Sequence, residues 1–449
     1  MIIMGLDNLY LEALQFLNTI DFTRSDQLSK GFETNIRYLG GLLSAYDLRG
    51  DRVLINKAVE LADHVLMPLF DSPSGAPYTN FDFNTGKPEP TSTILLAEFG
   101  SYSMEFTRLS QITGDKKYAE TANSVVDKVI AKPSRMPGLY PNSWKLDPFE
   151  PINDSIVDVG MGGDSYYEYL IKNHVLLGGS KENLLNSWIE AVDSIQKYLL
   201  SPTAEDPSIQ FVATSTNGTV GYRSDELICF WPGNVLLGIS QMDSGRDKNK
   251  YFKFAKTFMD SCIKTWTTTA TGLGPEFWTW KPEEAATKKG SPTIRGSIKN
   301  VFGDNSHKEQ KREEESTLLG KRAGNLDVKP YTIDSPAYNL RPETIESVFY
   351  FTRVDTQNSN YYKNIGWDMF QAIDKYTKVK AGYSSISNVD DPAISVMLDF
   401  EESFFFTETL KYLYLMFTDE SCMSLDEFVF TTEAHPLKAP KAIRLQNTF

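Results

Sequence analysis

Basic charge is what this chain lacks most: 45 Lys and Arg stand against 59 Asp and Glu, a formal net charge of −14. Such a surface cannot line a run of phosphates, so a nucleic-acid partner is excluded. Histidine is scarce too. His64, His174, His307 and His435 lie far apart, and neither HExxH nor CxxC occurs, so a zinc centre is not expected. No apolar run reaches the ~18–20 residues needed to span a bilayer. The opening, Met1-Ile2-Ile3-Met4-Gly5-Leu6, lacks a charged region followed by an apolar core and a cleavage site. It reads as the interior of a helix cut at its N-terminal side. Cys229, Cys262 and Cys422 are the only cysteines, which fits either reduced thiols or one disulfide plus a free thiol. The sequons at Asn153 and Asn217 would carry glycans only in a secretory compartment.

What the chain does have is apolar and aromatic material, 41% and 12% of 449 residues, arranged in a weak repeat. A helical pattern, a polar turn and a second amphipathic helical pattern recur. The copies are 43–51 with 53–66, 106–112 with 118–130, 167–177 with 184–200, 348–354 with 361–376, and 408–417 with 425–430. Spacings such as Ile55, Ala58, Val59, Leu61, Ala62 and Val65 are helical, and few segments alternate with period two. Helical hairpins must bury their apolar faces on one another, which leads to a solenoid or a closed ring, with an all-α, α/α-barrel architecture favoured. One catalytic domain is expected over 1–449, with a structured loop at 68–92 and a polar insertion at about 281–328.

Acidic residues recur at the starts of these helical patterns, beside aromatics or turn residues. They stand in Gly31-Phe32-Glu33, Gly163-Asp164-Ser165-Tyr166, Pro275-Glu276-Phe277-Trp278, Pro342-Glu343-Thr344 and Glu401-Glu402-Ser403-Phe404. Helix capping accounts for Asp164, but Glu is a poor cap and capping does not call for aromatic neighbours. Carboxylates beside flat rings suit glycoside hydrolysis. One acid protonates the leaving oxygen, another activates water, and a ring stacks on the sugar's apolar face.

Taken in order, these segments resemble glycoside hydrolase family 47, the class I α-1,2-mannosidases. The stretches that carry the resemblance run from Phe32 to Tyr46 and from Gly163 to Leu170, with Gly272-Leu273-Gly274-Pro275-Glu276 and Leu340-Arg341-Pro342-Glu343 following. Gly382 to Ile386, Glu402 to Leu413 and Phe430-Thr431-Thr432-Glu433-Ala434-His435-Pro436 complete the set. The resemblance implies an (α/α)7 barrel and a calcium-dependent, inverting enzyme. Such an enzyme removes terminal α-1,2-linked mannose from high-mannose N-glycans of glycoproteins, in the endoplasmic reticulum or Golgi lumen or outside the cell. A monomer is expected, with any membrane anchor lying in a missing N-terminal segment.

By position, Glu33 resembles the general acid and Glu343 the base, while Asp164 and Glu276 match further catalytic acids. Thr432 resembles the calcium ligand, through its hydroxyl and carbonyl, and oxygen-only ligation suits that hard cation. Glu98, Glu346, Glu408 and Glu433 match carboxylates around the ion's waters, with an ion pair to Arg37 or Arg341 as the alternative for Glu98 and Glu346. Phe404 would stack under the mannose, Phe32 and Glu226 would face it, and Arg37 and Arg341 would orient acids or hydroxyls. The family pairing of Cys229 with Cys262 leaves Cys422 free.

This chain departs from the family pattern in carrying Glu226 where many members have histidine. It has Gly162 where members specific for one mannose have arginine, which predicts broader branch selection. An upstream helix is expected to be missing. A glycan-binding quality-control factor with little catalysis is the alternative function. A terpene cyclase is disfavoured, since no Asp-Asp-x-x-Asp cluster occurs.

Overall fold

Left-handed glycines set the hairpin rhythm. Gly50 (φ 79°) closes the helix Gly40–Arg49 and Gly114 (φ 79°) closes Ser103–Thr113. Each donates its amide back into the last turn, to Tyr46 and Ser110 respectively, before the chain enters the helices Arg52–Leu61 and Lys117–Ile130. The computed structural model describes residues 1–283 and 329–440. Its further helix pairs are Asp164–Leu176 with Glu182–Ser194, Trp231–Gln241 with Lys248–Thr267, and Glu343–Val354 with Ser359–Thr377.

The first helices of the later pairs are buried nearly all round; in Asp164–Leu176 every residue from Ser165 to Leu176 is buried, and in Trp231–Gln241 every residue but Gln241. The second helix of a pair is amphipathic: Lys117–Ile130 buries Tyr118, Ala122, Val125, Val126 and Val129, one stripe at helical spacing. The first helices therefore pack on one another as an inner ring, in the order Gly40–Arg49, Ser103–Thr113, Asp164–Leu176, Trp231–Gln241, Glu343–Val354 and Leu410–Met416. The antiparallel strands Phe428–Phe430 and Pro436–Lys438 close the ring against Gly40–Arg49. The architecture is mainly helical, as the repeat predicts, and is the (α/α)7 barrel that the resemblance implies.

Short antiparallel sheets join the helix starts. Arg223–Asp225, Phe277–Thr279 and Thr332–Ser335 form one. Ser29–Lys30 pairs with Asn80–Asp82 from the 68–92 loop, and Gly31 N donates to Thr79 O at 2.8 Å. That loop thus fixes where the Glu33 segment begins.

The structure corrects the sequence reading in several places. Residues 425–430, expected to be helical, end in the strand Phe428–Phe430. The pair beginning at Trp231 is absent from the repeat read in the sequence, and its first turn carries Pro232 and Gly233. Proline is tolerated in a helix's first turn, and Gly233 is required there. A Cβ at that position would lie 2.8 Å from the Tyr350 ring and 3.1 Å from Ser347 Cα. Ile2–Met4 form a 3-10 turn closed by Gly5 rather than helix interior. The polar insertion expected at about 281–328 lies, from residue 284 on, outside the described residues. Cys229 and Cys262 form the disulfide that the resemblance implied, and Cys422 is free.

Candidate active site

Every inner helix starts at the same end of the barrel, and each start carries an acid. Glu33 stands at the start of the segment continuing into Gly40–Arg49, and Glu98 lies on Leu96–Gly100 ahead of Ser103–Thr113. Asp164 and Glu343 are the first residues of their helices, Glu226 opens the 3-10 turn before Trp231–Gln241, and Glu408 lies just before Leu410–Met416. Helix N-termini present unpaired amides and the positive end of the dipole, so carboxylates are tolerated there at a density that would be prohibitive elsewhere.

A web of cations holds the acids around one ring. Arg37 Nε bonds Glu33 Oε2 at 2.7 Å, while its other nitrogens reach Glu433 Oε1 at 3.5 Å and Ser403 Oγ at 2.5 Å. Arg341 Nε bonds Glu276 Oε2 at 2.8 Å and approaches Glu343 Oε1 at 3.8 Å. Both guanidinium groups lie near the Phe404 ring, at 5.9 and 5.8 Å from its centroid. The arginine holding Glu33 and the arginine beside Glu343 thus both approach a single aromatic ring. Phe32, Glu33, Glu98, Lys30 and Tyr102 line a cleft beside it.

The deep end is built by the turn between strands Phe428–Phe430 and Pro436–Lys438. Thr431 and Ala434 are wholly buried, and Thr432 N donates to Tyr169 Oη at 3.2 Å from five residues inside the Asp164 helix. Tyr169 in turn donates to Glu105 at 2.7 Å. Around this turn Glu408, Glu433 and Glu346 are all buried. Burial first, then the charges of Glu433, Glu343, Glu346 and Glu168, pushes the Glu408 carboxyl well above the usual range. Lys172, itself wholly buried, bonds Glu168 at 2.5 Å and Glu346 at 3.0 Å.

Among the described residues no group of three His, Cys, Asp or Glu side chains is placed to ligate a metal. A hydroxyl and a carbonyl at Thr432, with repelling carboxylates behind them that can hold waters, do fit a large oxygen-seeking cation. Magnesium, which demands tighter octahedral geometry, fits that set less well.

Most of the acids hold protons at unusually high pH. Burial pushes Glu343 and Glu105 up to about 8 and Asp164 up to about 7. A carboxyl whose folded pKa exceeds its unfolded value contributes stability that is complete below the unfolded value and is lost as pH rises through the folded one. His435, whose pKa burial pulls down, runs the other way, but only below its ordinary ~6.5. Lys411, held down to about 8 by burial, takes effect chiefly above that value. The melting temperature of the metal-free protein should therefore fall steadily between about pH 6.5 and 8. A flat or rising profile there contradicts the buried-acid description.

The structure gathers Phe32, Glu33, Arg37, Glu98, Glu276, Arg341, Glu343, Phe404 and Glu433 around this opening. Glu346 pairs with Lys172 and Glu98 accepts from Leu95 N at 3.3 Å, so neither makes the arginine pair that stood as the alternative to a place around the ion's waters. Glu226, expected to face the sugar, is instead wholly buried. Gly162 is left-handed (φ 87°), and a Cβ there would meet Asn142 Nδ2 at 3.2 Å; a turn requirement therefore stands beside any specificity role.

Sequence reasoning missed Asp158 and Asp225, a buried pair of acids next to Asp164. It also missed Lys172. The signal for the lysine was there: a cation four residues after Glu168 in an otherwise apolar and aromatic helix.

A barrel of helical hairpins with carboxylates and an aromatic floor at its helix starts defines a class, the carbohydrate-active α/α barrels. Residues 1–439 match the model of Glycosyl hydrolase family 47, and the chain belongs to that family. It is 33% identical over 440 residues to the human endoplasmic reticulum mannosyl-oligosaccharide 1,2-alpha-mannosidase, covering 97% of this chain and 56% of that protein. To mannosyl-oligosaccharide alpha-1,2-mannosidase 1B of Aspergillus oryzae it is 32% identical over 466 residues, covering 97% of this chain and 82% of that one. The solved alpha-1,2-mannosidase from Trichoderma reesei superposes with a TM-score of 0.83 at 30% identity, over 98% of this chain and 88% of the other. No described helix is long and apolar enough to cross a membrane.

Proposed function

We propose that this chain is a calcium-dependent, inverting exo-α-1,2-mannosidase. It would trim terminal mannose from high-mannose N-glycans in the secretory lumen, acting as one monomeric catalytic domain. The observation that carries this reading is the Phe404 face, where the arginine holding Glu33 and the arginine beside Glu343 converge. A mannose stacked on that ring would lie between an acid and a base.

The two acids differ in exposure, and Glu343, whose carboxyl burial holds up to about 8, would act as base once the positive charges of Arg341 and of a bound calcium lower its proton affinity. The Glu33 side chain is 41% exposed, at the outer lip where the rest of the glycan leaves. Glu343 is 15% exposed and deeper, with one carboxyl oxygen unpartnered. Glu33 gives its proton to the glycosidic oxygen. Glu343 takes one from the water attacking the anomeric carbon on the opposite face, and that geometry inverts the configuration. Arg341 bonds Glu276 and lends positive potential to Glu343. Asp164, at its own helix start, adds a further acid.

Calcium at Thr432 would supply a hard centre that orients sugar hydroxyls and water. The chain's own part is to shape that oxygen set, through Tyr169 bonding Thr432 N.

Digestion of a nine-mannose glycan tests the assignment. Mannose should be released from α-1,2 linkages and trimming should stop when these are exhausted. No release, alongside release by a related enzyme under the same conditions, overturns it.

A further inference from the structure

Glu226 has its two carboxyl oxygens in opposite circumstances. Oε1 accepts from Thr344 Oγ1 at 2.6 Å and from Trp266 Nε1 at 3.0 Å. Oε2 is equally buried and has no partner. The side chain is 0% exposed, and among the described residues no Lys, Arg or His pairs with it.

The ionisable groups around it are almost all acids or phenols. Asp225 precedes it in the chain, Glu276 lies near just ahead of the strand Phe277–Thr279, Glu343 lies near at the start of its helix, and Tyr338 and Tyr331 approach it from the segment between them. Arg341, the nearby cation, is committed to Glu276. An ionised carboxylate needs acceptor bonds on both oxygens, and a lone buried charge is costly. A carbonyl accepting two bonds beside a hydroxyl is the arrangement of the neutral acid. Burial pushes this carboxyl well above the usual range, and Glu343 and Glu276 push it further, against the bonds from Thr344 and Trp266.

Thr344 is the residue after Glu343, in the first turn of the same helix. We propose that Glu226 is a positioning residue for Glu343: as an uncharged carboxylic acid it ties that first turn to Trp266, without adding a second negative charge behind the base. The backbone reinforces the strut. Glu226 N donates to Glu276 O at 3.0 Å, and the turn that Glu226 opens carries Cys229, which is crosslinked to Cys262 on the helix bearing Trp266.

This inference rests on Glu343 being the base, so its test separates the two claims. Glu226→Gln keeps the carbonyl acceptor and should lower kcat by about threefold or less, because both accepted hydrogen bonds survive. Glu226→Ala releases the turn and should lower kcat about 10²-fold with KM little changed, as misplacement of a catalytic group does. Thr344→Val removes one of the two ties and should fall between them, which keeps the proposal falsifiable if the alanine variant does not fold. The infrared difference spectrum of parent minus Glu226→Gln at neutral pH should contain a protonated-carboxyl carbonyl band.

Glutamine falling as far as alanine, alanine or valine turning over like the parent, or absence of the band overturns the strut. An inactive parent overturns the mannosidase reading and the positioning role with it, while the band still reports the proton on Glu226.

Discussion

Glu343→Gln should lower kcat by about 10²–10⁴-fold, the usual loss when a general base is removed, with KM for a nine-mannose glycan nearly unchanged. The amide keeps the volume and the outline of the carboxylate in a position that is almost closed to solvent. It cannot take a proton from water. In the proposed function binding would be carried elsewhere, by the Phe404 ring and the two arginines near it, so the substrate should still be held. The split between kcat and KM is the informative part, because a group used only in the transition state affects turnover and leaves ground-state affinity alone. Activity within a few-fold of the parent would show that Glu343 is not the base. Loss of binding together with turnover would show that it positions the sugar instead.

Removing calcium should have a comparably large effect on both activity and stability. Glu408, Glu433, Glu346, Glu168 and Glu343 crowd the deep end of the barrel, and the nearby cations Lys172 and Lys411 do not relieve Glu408 of its high proton affinity. A divalent ion at Thr432 would do so, and would also secure the closing strand turn to the inner helices. Binding to the folded state alone stabilises by about 2.7 kcal/mol at a free ion concentration of 100 times Kd. A chelator should therefore abolish turnover and lower Tm, calcium should restore both, and magnesium should restore them poorly. Equal rescue by the two ions, or a Tm indifferent to chelation, argues against the site.

How much of this was legible in the sequence depended on whether a residue's role was local. The acids at helix starts could be read because each sits beside its own turn signal and aromatic neighbours, and the hairpin repeat places those starts at one end of the ring. Arg37 lies one helical turn after Glu33, so their ion pair follows from spacing alone.

The places where the reading failed are decided by tertiary contacts. Nothing near Glu226 in the chain indicates that Trp266 and Thr344 will close over it. Lys172 finds Glu346 across 174 residues. Nothing near Gly233 in the chain shows that it meets the Tyr350 ring. The 425–430 segment has helix-compatible spacing, yet it pairs as a strand because Pro436–Lys438 returns alongside it.

The most direct measurement is the anomeric configuration of the first mannose released from a nine-mannose glycan, followed by proton NMR in calcium from the moment of mixing. Water activated by Glu343 on the face opposite the bond protonated by Glu33 predicts β-mannose first, with the α anomer appearing only as the sugar mutarotates. α-Mannose at the earliest times, or no mannose while a related enzyme releases it in parallel, contradicts the account.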